Sequence, residues 1–115
     1  MKSYTPSRSP CPIGRASRVL GDRWAILIVR EAFLGAERFE HFMDRLTVSR
    51  ASLTSRLTML VEAGVLQREP PTGKRALYRL TEAGRALEPV FGAMALWSGE
   101  HLFPEGQPPK SWDQA

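Results

Sequence analysis

The stretch that decides the fold is Thr47–Leu66, TVSRASLTSRLTMLVEAGVL. Ser49 is a good helix cap, because a serine hydroxyl accepts from a free amide of the first turn. Leu53, Leu57 and Leu60 then recur at helical spacing, with Val61 beside them. Gly64 stands where a left-handed residue ends a helix. The head of this helix is rich in hydroxyls and arginine, and no acid appears before Glu62. First turns usually favour acids, which complement the helix dipole. An acid-free head suits an anion arriving from outside. At about 100° per residue, Ala51, Ser55 and Glu62 point away from the leucines, with Ser52 and Thr58 on the flanks. Arg50 falls nearer the leucines, yet its length lets it swing out. Short side chains allow a helix to sit deep in a DNA major groove, where hydroxyls and arginines bond bases or phosphates. The plainer alternative is a helix whose serines only cap and solvate it.

The neighbouring segments make sense of this helix. Upstream, Phe39, Phe42 and Leu46 share one face of a preceding helix, and Thr47-Val48 leaves room only for a tight turn. Further upstream, Asp22 caps a strongly apolar helix, DRWAILIVREAFL, which ends at Gly35. Such a helix belongs at the centre of a core. Before it, Pro12 starts a short helix that Gly21 ends. Downstream the period changes. Residues 65–68 and 76–80 read as two strands around the turn Pro70-Pro71-Thr72-Gly73, with Lys74 and Arg75 at the tip. Thr81 caps a last helix over 81–102, which Pro89 should kink or start irregularly. The order is helix, tight turn, helix, then basic-tipped hairpin. It predicts a mainly α chain with a small β-hairpin wing, a winged helix-turn-helix. The domain spans residues 11–103, between segments 1–10 and 104–115 that read as flexible.

The bulk composition fits. The chain has 115 residues, 43% hydrophobic and 24% charged, which suits one globular domain. Its formal charge of +4 permits a polyanionic partner. That charge is uneven: residues 1–35 carry six basic and two acidic residues, 36–85 nine and six, 86–115 one and four. The tail is therefore no nucleic-acid arm. One cysteine, Cys11, excludes an intrachain disulfide. No apolar signal core or membrane-length run is present, so a cytoplasmic chain without membrane contact is expected. His41 and His101 have no partner at metal-ligand spacing, no catalytic constellation stands out, and no metal, cofactor or enzymatic activity is expected.

Three runs, CPIGRASRVLGDRWAILIVREAFLGAERFEHF, SRASLTSRLTMLVEAGVL and YRLTEAG, together resemble the HxlR family of bacterial and archaeal transcription regulators, winged-helix relatives of the MarR regulators. The resemblance covers about residues 11–103. It implies a homodimer, joined through N- and C-terminal helices, on palindromic double-stranded DNA. It implies that Ser49, Arg50, Ala51, Ser52, Thr54, Ser55 and Arg56 lie at or near the DNA, with wing contacts from Lys74 and Arg75. Arg38, and after it Arg45, are candidate phosphate clamps. Ile13, Leu87, Val90, Phe91, Met94 and Trp97 are the expected dimer interface. Two departures matter. The hairpin is a few residues shorter than is typical of the family. Ala51 stands where many members carry a longer polar side chain, and alanine can meet a thymine methyl but cannot hydrogen-bond a base edge.

Cys11 would sit at a helix cap near Arg15, where the dipole and the cation favour a reactive thiolate. Many members of the family have a cysteine there, and some sense oxidants or electrophiles with it. The alternative is an inert thiol packed at the interface. Trp24, Phe91, Met94 and Trp97 could line a ligand pocket between subunits, or simply form core and interface. The resulting reading is a sequence-specific regulator, taken as a repressor. Its rival is a winged-helix protein-interaction module without specific DNA, since fold does not fix function. A thiol redox protein is a further option, but no resolving cysteine is present.

Overall fold

A computed structural model describes residues 4–106 and 108. Six helices and one hairpin follow in order: α1 (Pro12–Leu20), α2 (Arg23–Phe33), α3 (Phe39–Arg45), α4 (Arg50–Glu62), β1 (Leu66–Glu69), β2 (Leu77–Leu80), α5 (Glu82–Arg85) and α6 (Glu88–His101).

α2 is the central element, packed against α1, α3, α4 and β2. The Asp22 carboxylate caps it by accepting from the Ala25 amide at 2.9 Å. Ala25, Ile28 and Val29 are fully buried. Gly35 ends the segment at φ 104°, a left-handed conformation natural to glycine. Across from α2, Phe42 of α3 and Leu53, Leu57 and Leu60 of α4 complete the core, with Leu46 and Val48 of the turn closing its edge. The Ser49 hydroxyl caps α4 by accepting from the Ser52 amide at 3.0 Å. At the far end Gly64 is left-handed, and Val65 donates back to the Leu60 carbonyl.

One buried charge belongs to this core. Glu31 of α2 is 1% exposed and accepts from Arg30 at 2.8 Å and Arg45 at 2.9 Å. A carboxylate at that depth needs both guanidiniums to offset its lost hydration. The pair with Arg45 ties α2 to the end of α3. Arg45, a candidate phosphate clamp in the sequence, thus has a structural partner.

β1 and β2 pair antiparallel with Leu66 opposite Leu80 and Glu69 opposite Leu77. Strand alternation places Leu66 in the core and Gln67 outside. The segment before α3 adds a third edge: Arg38 bridges Leu77, and Tyr78 donates to the Glu37 carbonyl at 2.8 Å. The wing root is therefore stitched to the helix-turn-helix.

The C-terminal region corrects the single helix expected over 81–102. Thr81 does cap, accepting from the Gly84 amide at 3.0 Å. Gly84 lies so close to the Val65 carbonyl oxygen that any Cβ would collide with it. The chain breaks after Arg85, and Pro89 falls in the first turn of a separate α6. Proline fits there because first-turn amides have no intrahelical acceptor. Phe91 is the one buried residue of α6, 6% exposed, its ring 5.6 Å from that of Phe33. Phe91, expected at the dimer interface, therefore packs into the core of its own chain. Leu87 also packs against that core. Ile13, Val90, Met94 and Trp97 are exposed.

Residues 7–10, within the segment read as flexible, fold back on α1. Ser9 accepts at its hydroxyl from Cys11 and at its carbonyl from Arg15. Residues 1–3, 107 and 109–115 of the two terminal segments lie outside the described residues.

Candidate nucleic-acid interface

The head of α4 begins with the Ser49 cap, which fixes where the helix starts and so which side chains face outward. Ser49, Arg50, Ala51, Thr54 and Ser55 are exposed, and Ser52 is half-buried beside the cap it serves. The first turn holds no acid. Farther along, the Thr58 hydroxyl donates to the Thr54 carbonyl, so that hydroxyl is turned inward on the helix.

The arginines of α4 are engaged inside the molecule. Arg56 is half-buried and grips Asp22 with two donors, Nε at 3.1 Å and Nη2 at 3.0 Å. Asp22 thereby caps α2 and anchors α4 at once. The Arg56 guanidinium holds the Asp22 carboxyl below its ordinary range; partial burial opposes this and the Ala25 amide assists. Asp22 in turn raises the pKa of Arg56. Arg50 donates to Glu40 of α3 at 2.9 Å, and its guanidinium carbon lies 4.8 Å from the centroid of the Phe39 ring.

The wing tip is shaped by arginines that bond main chain. Arg38 Nη1 donates to the Arg75 carbonyl at 2.8 Å. Arg68 donates to the carbonyls of Pro70 and Gly73 and to the Tyr78 hydroxyl. These bonds hold a seven-residue connection, 70–76, in which Gly73 and Arg75 both have positive φ, 96° and 59°. A positive φ at arginine is unfavourable by itself. The Arg38 bond to its carbonyl offsets that cost. Lys74 and Arg75 are exposed, and among the described residues no acid pairs with either.

These parts meet in one cleft between the heads of α3 and α4 and the wing root. Arg38, Phe39, Glu40, Arg50, Arg68, Arg75, Ala76 and Tyr78 line it. Four of the eight are arginines and one is acidic. Sequence reading named Arg38, Arg50 and Arg75 but missed Phe39, Glu40, Asp22 and Arg68. Arg68 had a signal, since it lies directly opposite Tyr78 across the hairpin. Glu40 and Asp22 had none, because their partners lie 10 and 34 residues away.

The other sites are plainer. Cys11 is exposed at the start of α1 and its side chain makes no capping bond. Arg15, expected near the thiol, is directed to the Ser9 carbonyl at 2.6 Å. Within one subunit, the four residues suggested for a pocket between subunits do not line one surface. Met94 and Trp97 line an open apolar trough with Pro89, Val90 and Ala93. Trp24 lines another cleft, with Leu27 and Arg45 among its walls. Phe91 is buried in the core. The His101 ring lies 5.6 Å from that of Trp97, tilted by 44°. Among the described residues no group of His, Cys, Asp and Glu could hold a metal ion, and no helix is long and apolar enough to cross a membrane.

Comparison with known proteins bears on this geometry. Residues 19–105 match the HxlR-like helix-turn-helix family model. The chain is 46% identical over 101 residues to the uncharacterised HTH-type transcriptional regulator Rv3095 of Mycobacterium tuberculosis, covering 85% of this chain and 64% of that protein. It thus spans just under two thirds of that relative's length. Among solved structures, PA1607, a proposed transcription factor, superposes with a TM-score of 0.82 at 38% identity, over 94% of this chain and 79% of the other. Reduced YodB of Bacillus subtilis, a transcriptional regulator, superposes at 0.72 with 29% identity, over 86% of this chain and 100% of YodB. YodB is also known in quinone-bound and diamide-treated forms. With the family model matching most of the chain and the fold following its winged-helix relatives, the chain belongs to the HxlR-like helix-turn-helix family of transcription regulators.

Proposed function

We propose that the protein binds palindromic double-stranded DNA sequence-specifically as a homodimer and represses transcription from the sites it occupies. The observation that carries this reading is the single cleft in which the head of α4, the head of α3 and the wing root converge with four arginines. α4 enters the major groove with Ser49, Arg50, Ala51, Ser52, Thr54 and Ser55 toward the DNA. Lys74 and Arg75, unpaired by acids among the described residues, supply backbone attraction at the wing. Arg38 shapes that wing and adds charge beside it. Arg56 works from behind, keeping α4 at its angle through Asp22. The exposed faces of α1 and α6 form the dimer, with Ile13, Val90, Met94 and Trp97 as its contacts, and half-sites lie about 10 base pairs apart.

Binding to a genomic duplex pool at several salt concentrations tests this. Selection of one palindrome, with affinity falling steeply as salt rises, is the expected result. A folded protein that selects no duplex even at low salt overturns it, and leaves a protein-interaction module as the reading. Oxidant or electrophile control through Cys11 is the second element. It is supported by the exposure of the thiol and by the ligand-bound and oxidant-treated forms of YodB. Diamide should release wild type from its operator and leave Cys11→Ser bound. Equal release of both would exclude a role for the thiol.

A further inference from the structure

Arg50 opens α4 and Glu40 lies in the first turn of α3. The turn between the helices brings them together with Phe39. One donor of the Arg50 guanidinium is taken by Glu40 at 2.9 Å, and the group lies over the Phe39 ring at 4.8 Å. That separation is within cation–π range. Both charged side chains nonetheless remain mostly exposed, 64% for Arg50 and 68% for Glu40. An ion pair so open to water contributes little to folding. Its consequence is geometric: it fixes the plane and direction of one long side chain at the helix head.

A phosphate contact has no need of that arrangement. Phosphate accepts a point charge from many directions, and a carboxylate beside the arginine both repels phosphate and cancels the attraction. A guanine edge differs. It is uncharged, and a guanidinium fork meets both its O6 and N7 only when presented in one orientation. Guanidinium has five N–H donors, so the one bonded to Glu40 leaves enough for a bidentate contact. Arg38, Arg68 and Arg75 line the same cleft and can attract the backbone in its place. We infer that Arg50 reads a guanine base edge, and that Glu40 and Phe39 are positioning residues that hold it for the base and away from phosphate service.

This inference rests on the regulator reading, and one set of measurements separates the two. The operator is first selected with wild type. Competition binding then compares each base at each operator position for wild type, Arg50→Ala, Arg50→Lys, Glu40→Gln and Lys74→Ala, over a salt series, with thermal melts confirming the folded state of each. Arg50→Ala should abolish preference for guanine at one position per half-site, a loss of about five- to a hundredfold, and Arg50→Lys, which has no planar fork, should weaken it. Arg50→Ala should leave the slope of log affinity against log salt near wild type, whereas Lys74→Ala lowers it by about one per phosphate contact. Glu40→Gln keeps the arginine but weakens its tether, since an amide oxygen still accepts while the carboxylate charge is lost. It should lower the guanine preference at least about fivefold while raising affinity for random duplex. Unchanged guanine preference in Glu40→Gln would remove the positioning role of Glu40, and a slope lost in Arg50→Ala as in Lys74→Ala would make Arg50 a phosphate clamp; either result overturns the inference alone. Absence of any duplex binding by folded wild type overturns the regulator reading and the inference with it.

Discussion

α2 and α6 are the two most apolar helices of the chain, and they are used in opposite ways. α2 buries Ala25, Ile28 and Val29 completely, and touches the rest of the fold on several sides. α6 is three residues longer but buries only Phe91. Its other large apolar side chains stay in the open: Trp97 is 59% exposed and Leu96 74%. Periodicity alone cannot separate these cases, since the apolar face of a helix looks the same whether its partner lies in the same chain or in another. The difference shows in what surrounds the helix. α2 is enclosed by earlier and later elements. α6 is last, and one aromatic anchor is enough to hold it on.

Two substitutions in these helices should have the largest effects. Phe91→Ala removes the anchor and its contact with Phe33, and should destabilise by about 3–5 kcal/mol. Ile28→Ala in α2 should cost about 2–5 kcal/mol through its cavity. Urea denaturation of each variant checks both. If Phe91→Ala melted like wild type, α6 would not be part of this chain's core and the contrast between the helices would collapse.

The same contrast marks what could be read from the sequence. The order of the helices, both glycine stops at Gly35 and Gly64, the caps Asp22, Ser49 and Thr81, and the hairpin were legible, because each depends on a few neighbouring residues. The division of the last helix was half legible. Pro89 announced an irregularity, but the tight seat of Gly84 depends on the Val65 carbonyl, 19 residues earlier. The burial of Phe91 could not be told from the sequence, because it lies on an apolar run whose other members face outward. The arginines were the hardest. Arg38, Arg45, Arg50 and Arg56 look alike as exposed cations in a list of letters. Yet each finds a carbonyl or carboxylate set by the tertiary fold, between 10 and 37 residues away.

A smaller effect is expected where α2 meets α4. Asp22→Ala removes a cap and the Arg56 anchor, and should destabilise by about 1–2 kcal/mol. Asp22→Asn is more discriminating, because asparagine still caps while the charge is lost. The Asp22 pKa is lowered in the folded chain, chiefly by Arg56. Its stabilising contribution is therefore complete above the unfolded-state value, about 3.9. It is lost as pH falls through the lower folded-state value. Denaturation between pH 7 and 3 should show wild type losing its advantage over Asp22→Asn at the acid end. Parallel curves over that range would mean that the carboxylate charge adds nothing to the α2–α4 junction.

The smallest effect on the chain itself should come from the outer face of α6. Trp97→Ser replaces a side chain that touches the interior little, so the stability of an isolated subunit should move by less than about 0.5 kcal/mol. The variant should instead change how stability depends on concentration. A dimer formed through this face ties unfolding to dissociation, so the wild-type melting temperature should rise with protein concentration. In Trp97→Ser that rise should shrink or vanish, and sedimentation should show a lighter species at the same concentration. Phe91→Ala lowers stability at every concentration, because it acts within the chain. If Trp97→Ser instead behaved like Phe91→Ala, destabilised equally from dilute to concentrated solution, the outer face of α6 would have its partner inside its own chain. The two helices would then differ only in degree.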